Sequence, residues 1–223
     1  MNSNARLMTL LIRKILTLLC IVEGNGLDSI PLHGPLLLVT NHINFLEVPL
    51  LYSLLFPRNI CGIAKKETWD NWFLRILFNA WEAIPIDREK PNKTTFRLIN
   101  KALENRKIVG IAPEGTRSET GVLGEGHQGV AYIALQNRIP LMIIAHYGGE
   151  EFWRNLRRFR RTKITISVSP PFMLASETKT SKEVQREMTE QIMTRLAAML
   201  PEQYRGVYKN LDVISDQYVK YLT

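Results

Sequence analysis

The sequence predicts an α/β domain, a largely parallel sheet flanked by helices, with an amphipathic N-terminal helix that associates with a membrane surface. Three observations point there. Apolar runs of strand length recur along the chain, segments with helical spacing lie between them, and the front of the chain sets a narrow cationic stripe beside a broad apolar face. A chain of 223 residues that is 45% hydrophobic has the material for one sizeable core.

The front segment, "RLMTLLIRKILTLLCIV", runs from Arg6 to Val22. It is shorter than the about 20 apolar residues a membrane span needs, and Arg13 and Lys14 interrupt it. The same interruption, with no small-residue cleavage site after it, argues against a signal peptide. Placed on a helix, Arg6, Thr9, Arg13, Lys14, Thr17 and Cys20 fall on one side. Leu7, Met8, Leu11, Ile12, Ile15, Leu16, Leu18 and Leu19 cover the rest. Such a helix suits the plane of a bilayer surface, with its cations at anionic headgroups. Docking on the domain's own core is the alternative.

The strands follow as Leu36–Thr40, Asn59–Ala64, Glu82–Asp87, Lys107–Ala112, Pro140–His146 and Lys163–Ser169. Between them Thr94–Asn105, with Phe96, Ile99 and Leu103 on one face, and Gln128–Asn137 have helical spacing. Thr180 and Glu183 form a capping box ahead of the periodic Val184, Met188, Ile192, Leu196 and Leu200. Cys20 and Cys61 have no ligand or disulfide spacing and read as buried thiols in a reducing compartment.

In open parallel sheets functional residues gather beyond the carboxyl ends of strands. Polar clusters follow strands at "TNHINFLE", "DREK" and "PEGTRSETG", which places His42, Arg88 and Arg117 on one edge. His42 and Glu47 would lie about 140° apart on a continuous helix, but they can meet if His42 sits in a turn and Glu47 at a helix start. Pro49 suits that first helical turn. A histidine held by a carboxylate is a competent general base near neutral pH. The rival reading is local: Asn44 caps the helix and Glu47 closes a capping box. In "PEGTRS", Gly115 can offer backbone N–H groups to an anion and Arg117 a planar fork for phosphate. Glu114 beside them would orient that arginine or hydrogen-bond a hydroxyl. Arg88 supplies a second cation, with Asp87 as its structural partner.

Together these residues resemble the glycerolipid acyltransferase family that includes the lysophosphatidic acid (1-acylglycerol-3-phosphate) acyltransferases. "NHINFLE", "AKKETW" with "AIPIDR", "PEGTRS" and "RIPLMIIAHYGG" match its four blocks in order, across roughly residues 36–148. The resemblance makes 27–223 an acyltransferase domain and 1–26 a membrane-surface helix and linker. It implies that His42 is the base, Glu47 its orienting acid, and Arg88 and Arg117 the holders of an acceptor phosphate, with Glu114, Gly115 and Thr116 shaping the site. Lys65 and Lys66 match a basic pair of the second block. The implied reaction moves a fatty acyl group from acyl-CoA or acyl carrier protein to the free hydroxyl of a lysophospholipid, with lysophosphatidate favoured. It needs no metal and no cofactor, and the thioester donor is itself a substrate. Another lipid hydroxyl or amine acceptor, or a lipid-binding relative disabled in catalysis, are the alternatives. Glu47 stands where the family usually has aspartate, "TWDNWFLRILF" departs from the second block, and Gly126 and His127 replace an aromatic and a lysine. His127 reads as a loop or surface histidine.

The net charge of +8 calls for an acidic partner. Given the blocks, that partner is a membrane surface at the cytoplasmic face, and nucleic acid is not expected. The basic run "RNLRRFRRTK", Arg154–Lys163, is either a solvated face or a dock for anionic lipid or an acidic acyl carrier.

Overall fold

The structure is a computed structural model that describes residues 3–87, 93–118, 120–175, 181–211 and 215–222. Strands β1 (Cys20–Asn25), β2 (Leu36–Thr40), β3 (Ile60–Lys65), β4 (Ile84–Ile86), β5 (Ile108–Ile111), β6 (Leu141–Tyr147), β7 (Thr162–Val168), β8 (Phe172–Leu174) and β9 (Val219–Tyr221) join in one sheet. The main path is β1-β7-β6-β2-β5-β3-β4, with β8 on β6 and β9 on β8. From β6 through β2, β5 and β3 to β4 every pairing is parallel; β7 runs antiparallel to β6 and parallel to β1. The expected α/β architecture is thus present, with the strand positions close to those read from the sequence.

Helices α1 (Ser3–Leu19), α2 (Glu47–Leu55), α3 (Trp72–Ala80), α4 (Lys93–Glu104), α5 (Gly129–Asn137), α6 (Phe152–Leu156) and α7 (Lys182–Ala198) cover both faces. The pleat of β2 shows why its run is apolar throughout. Leu37 and Val39 enter a core with Ile99 of α4, Ile133 of α5 and Ile192 of α7. Leu36 and Leu38 enter a second one with Leu16 of α1 and Leu50 of α2. Ser181 caps α7, its hydroxyl accepting the Val184 N–H at 3.3 Å. The expected cap, Thr180, lies outside the described residues, and the cap that is present stands one position later.

The front segment corrects two expectations. Cys20–Asn25 is a strand where a helix end and a linker were expected, because it finds a parallel partner in β7. The polar stripe of α1 is also divided. Thr9 is buried, donating to the Ala5 carbonyl at 2.8 Å and accepting the indole N–H of Trp81 at 3.0 Å. Cys20 is buried too. Met8, Ile12 and Leu16 pack inward on the cores beneath the helix, so α1 does dock on its own domain. Leu7, Leu10, Leu11, Ile15 and Leu18 remain exposed on the far side, with Lys14 among them and Arg6 and Arg13 on the flank. Among the described residues no helix is long and apolar enough to cross a membrane.

Candidate active site

The chain leaves β2 at Thr40 and re-enters helix at Glu47, and the turn between them carries the pair. His42 Nδ1 is hydrogen-bonded to Glu47 Oε1. A carboxylate can only accept there, so Nδ1 carries the proton and Nε2 is left as the basic nitrogen. The second carboxylate oxygen, Oε2, accepts the backbone N–H of Ile43 at 2.7 Å and of Asn44 at 3.3 Å. One oxygen of Glu47 thus holds the imidazole while the other accepts from the turn ahead of α2; the expected cap by Asn44 is not formed, for the N-cap position is Leu46 and carries no side-chain bond. Asn44 contributes by accepting the Leu46 N–H at 2.8 Å and by donating to the Gly149 carbonyl at 2.6 Å.

The backbone of His42 is pinned from the loop after β5. Glu114 accepts the His42 N–H on Oε1 at 2.7 Å and the Gly124 N–H on Oε2 at 2.9 Å, and Ser118 N–H donates to the His42 carbonyl at 2.7 Å. Glu114 is buried, and desolvation, opposed by these two donors, pushes its carboxyl up to about 7. Its carboxylate thus ties down the turn that carries His42, where the sequence placed it beside the substrate.

Two further residues belong to this centre that sequence reasoning passed over. Asn41 extends the β2–β6 ladder with its side chain: its amide donates to the His146 carbonyl at 2.8 Å and accepts the His146 N–H at 3.0 Å. The His146 ring closes the clasp, Nε2–H donating to the Asn41 carbonyl at 2.9 Å, and the same nitrogen lies 3.6 Å from Glu47 Oε2. Burial holds the His146 pKa below its ordinary value, against the opposing pull of Glu47. The available signal was a polar side chain closing the apolar run "PLMIIAH".

His42 and Glu47 open onto a recess of about 690 Å³ that runs between α2, α3, α4 and α5, with apolar walls from Leu51, Ile63, Phe78, Phe96, Ile99 and Ile133. Gly115, Thr116 and Arg117 line it together with the pair, and Lys65 does so from the end of β3. Gly115 has φ 65°, in the left-handed region that favours glycine, and a Cβ there would lie 2.9 Å from the exposed His127 ring. His127 is exposed, as expected, but it lines the same recess. Lys66 bonds Asp87, the carboxylate that the sequence pairs with Arg88, at 2.6 Å. Arg88 itself lies outside the described residues.

A buried histidine–carboxylate pair at the carboxyl edge of a parallel sheet, facing an apolar recess with an arginine at its wall, is an arrangement capable of general-base chemistry on an amphiphilic molecule. The comparisons give that class a family: residues 21–146 match the Acyltransferase family model, and the chain belongs to this family. It is 28% identical over 186 residues to a 1-acyl-sn-glycerol-3-phosphate acyltransferase of Bacillus subtilis, covering 83% of this chain and 91% of the relative. A coconut (Cocos nucifera) enzyme of the same name is 33% identical over 140 residues, which are 60% of this chain and 44% of that longer protein. The fold matches the crystal structure of PlsC, the 1-acyl-sn-glycerophosphate (LPA) acyltransferase of Thermotoga maritima, with a TM-score of 0.64 at 20% identity over 89% of this chain and 83% of that one.

Proposed function

We propose that the protein transfers a fatty acyl group from acyl-CoA or acyl carrier protein to the free hydroxyl of a lysophospholipid, with lysophosphatidate the favoured acceptor and phosphatidate the product. The observation that carries this reading is the His42–Glu47 pair at the head of an apolar recess, with the "PEGTRS" loop beside it. His42 Nε2 takes the proton of the acceptor hydroxyl as its oxygen attacks the thioester carbonyl carbon. The new C–O ester bond forms, the C–S bond breaks, and the departing thiolate takes the proton back from the imidazolium. Glu47 keeps the ring in the reactive tautomer and stabilises its transient positive charge. The recess takes the acyl chain, and Arg117, with Arg88, holds the acceptor phosphate. The names of the relatives support this acceptor. The reaction takes place at a membrane surface, peripheral or monotopic, on the cytoplasmic face. The outward leucines of α1 and the exposed Trp72, Phe73 and Ile76 of α3 supply its apolar contact.

The test is a panel of lyso-acceptors with labelled acyl-CoA and acyl carrier protein thioesters. Phosphatidate should form fastest from lysophosphatidate, and His42→Ala should lose about 10²–10⁴-fold in rate while remaining folded. Near-normal turnover by that variant would remove the assigned base. Arg117→Ala should cost very roughly 10-fold or more in kcat/KM for lysophosphatidate, the worth of a charge-assisted hydrogen bond, and much less for a neutral acceptor.

A further inference from the structure

From the geometry after α6 we infer a second membrane-inserting element, a loop with Phe159 at its tip and Arg157, Arg158 and Arg160 around it, whose partner is an anionic bilayer. The inference rests on the membrane-surface reading above and adds to it a second point of contact besides α1.

The loop is a helix C-terminus closed in a Schellman motif. The Arg160 N–H donates to the Asn155 carbonyl at 2.9 Å, the Phe159 N–H donates to the Leu156 carbonyl at 3.1 Å, and Phe159 has φ 53°. That left-handed position belongs by default to glycine, and a bulky side chain there is strained. The phenylalanine gains no packing in return, because it is 100% exposed. A strained, unpacked aromatic side chain at the apex of a loop is an outlier that calls for an occupant.

The surrounding charge says which. Arg154 is paired with Glu151, and Lys163 with Glu23 at 2.8 Å, whereas Arg157, Arg158 and Arg160 are exposed and have no acidic partner among the described residues. Three unpaired guanidinium groups about one apolar tip suit the interface of an anionic lipid surface, with the ring among the acyl chains and the cations at the phosphates.

Position supplies the third argument. Arg161 donates to the carbonyls of Thr17 and Cys20, at 2.7 and 2.6 Å, and so grips the carboxyl end of α1. Thr162 is in register with Cys20 across the β1–β7 pair. Phe159 stands only two residues, roughly 7 Å of chain, before the arginine that grips α1. Leu18, next to the gripped Thr17, is exposed as well, so the arginine joins the loop to the end of α1 that carries outward apolar side chains.

The experiment is sedimentation of the full chain with phosphatidylglycerol and with phosphatidylcholine vesicles, alongside melting temperature and acyl transfer to a detergent-dispersed acceptor. Phe159→Gly should melt no lower than the parent, because the strain is relieved, yet bind phosphatidylglycerol vesicles about tenfold more weakly. Replacing Arg157, Arg158 and Arg160 with Gln should cost about fivefold per residue on the same vesicles and little on phosphatidylcholine. Transfer to the dispersed acceptor should be unchanged in both variants. If the parent binds vesicles and a Leu11→Asp, Ile15→Asp variant does not, while Phe159→Gly binds as the parent does, the loop is excluded and the membrane reading stands. A parent that binds no vesicles overturns both. Intact vesicle binding with a raised KM for acyl carrier protein thioesters alone would make the loop a protein dock and overturn the lipid assignment.

Discussion

Glu47 differs from the family's usual aspartate by one methylene, and both of its oxygens are engaged. One carboxylate oxygen meets the imidazole and the other the N–H groups of Ile43 and Asn44, so a single residue both holds the ring and ties down the turn ahead of α2. Glu47→Gln keeps the size and one acceptor oxygen but loses the charge. As a cap alone it would cost about 1 kcal/mol or less. Because the carboxylate also stabilises the imidazolium, the larger effect should be on kcat at saturating substrates, and Glu47→Asp should retain more activity than Glu47→Gln. Full turnover with reduced stability would leave Glu47 a cap only. His146 makes a different test, since its effect can be read through pH. Its folded pKa lies below the ordinary 6.5, so as pH falls below that value the unfolded chain binds a proton that the folded chain refuses, and stability drops. His146→Gln offers an amide N–H where Nε2–H stood and does not titrate. Its melting temperature, compared with the parent at pH 8 and pH 5.5, should decline less on acidification. Parallel declines would show that His146 carries no such burden.

At the scale of elements, α1 is held to the domain by long-range polar contacts that its own periodicity cannot show. The Trp81 indole reaches Thr9 across 72 positions, and Arg161 reaches Thr17 and Cys20 across more than 140. Thr9→Val keeps the shape and leaves the buried Trp81 N–H without its acceptor, which should cost about 1–3 kcal/mol. Denaturant midpoints will measure that loss. Hydrogen exchange should show it concentrated in α1 and around Trp81; uniform loosening would mean that the helix is not a separable unit. The outward leucines are untouched by this change, so vesicle binding by the folded protein should persist.

At the scale of the whole molecule, the proposed membrane association would draw on two contributions, a net charge of +8 and the outward apolar side chains of α1, and salt separates them. Raising the salt to 1 M shortens the Debye length to about 3 Å and should weaken binding to anionic vesicles strongly, leaving a residual apolar component. Binding indifferent to salt would assign the contact to the leucines and aromatic side chains alone. The sequence by itself determined the strand–helix alternation and the turn after β2 that brings His42 and Glu47 together, because these are local patterns: periods, turns and short spacings. It did not contain β1, whose strand state comes from pairing with β7 across the chain. Nor did it contain the inward turn of Glu114 or the clasp of His146 on Asn41, which join residues 72 and 105 positions apart. Only tertiary structure decided these, for a buried donor or acceptor takes whichever partner the packed sheet brings within hydrogen-bonding distance, and the cost of leaving it unpaired enforces that choice.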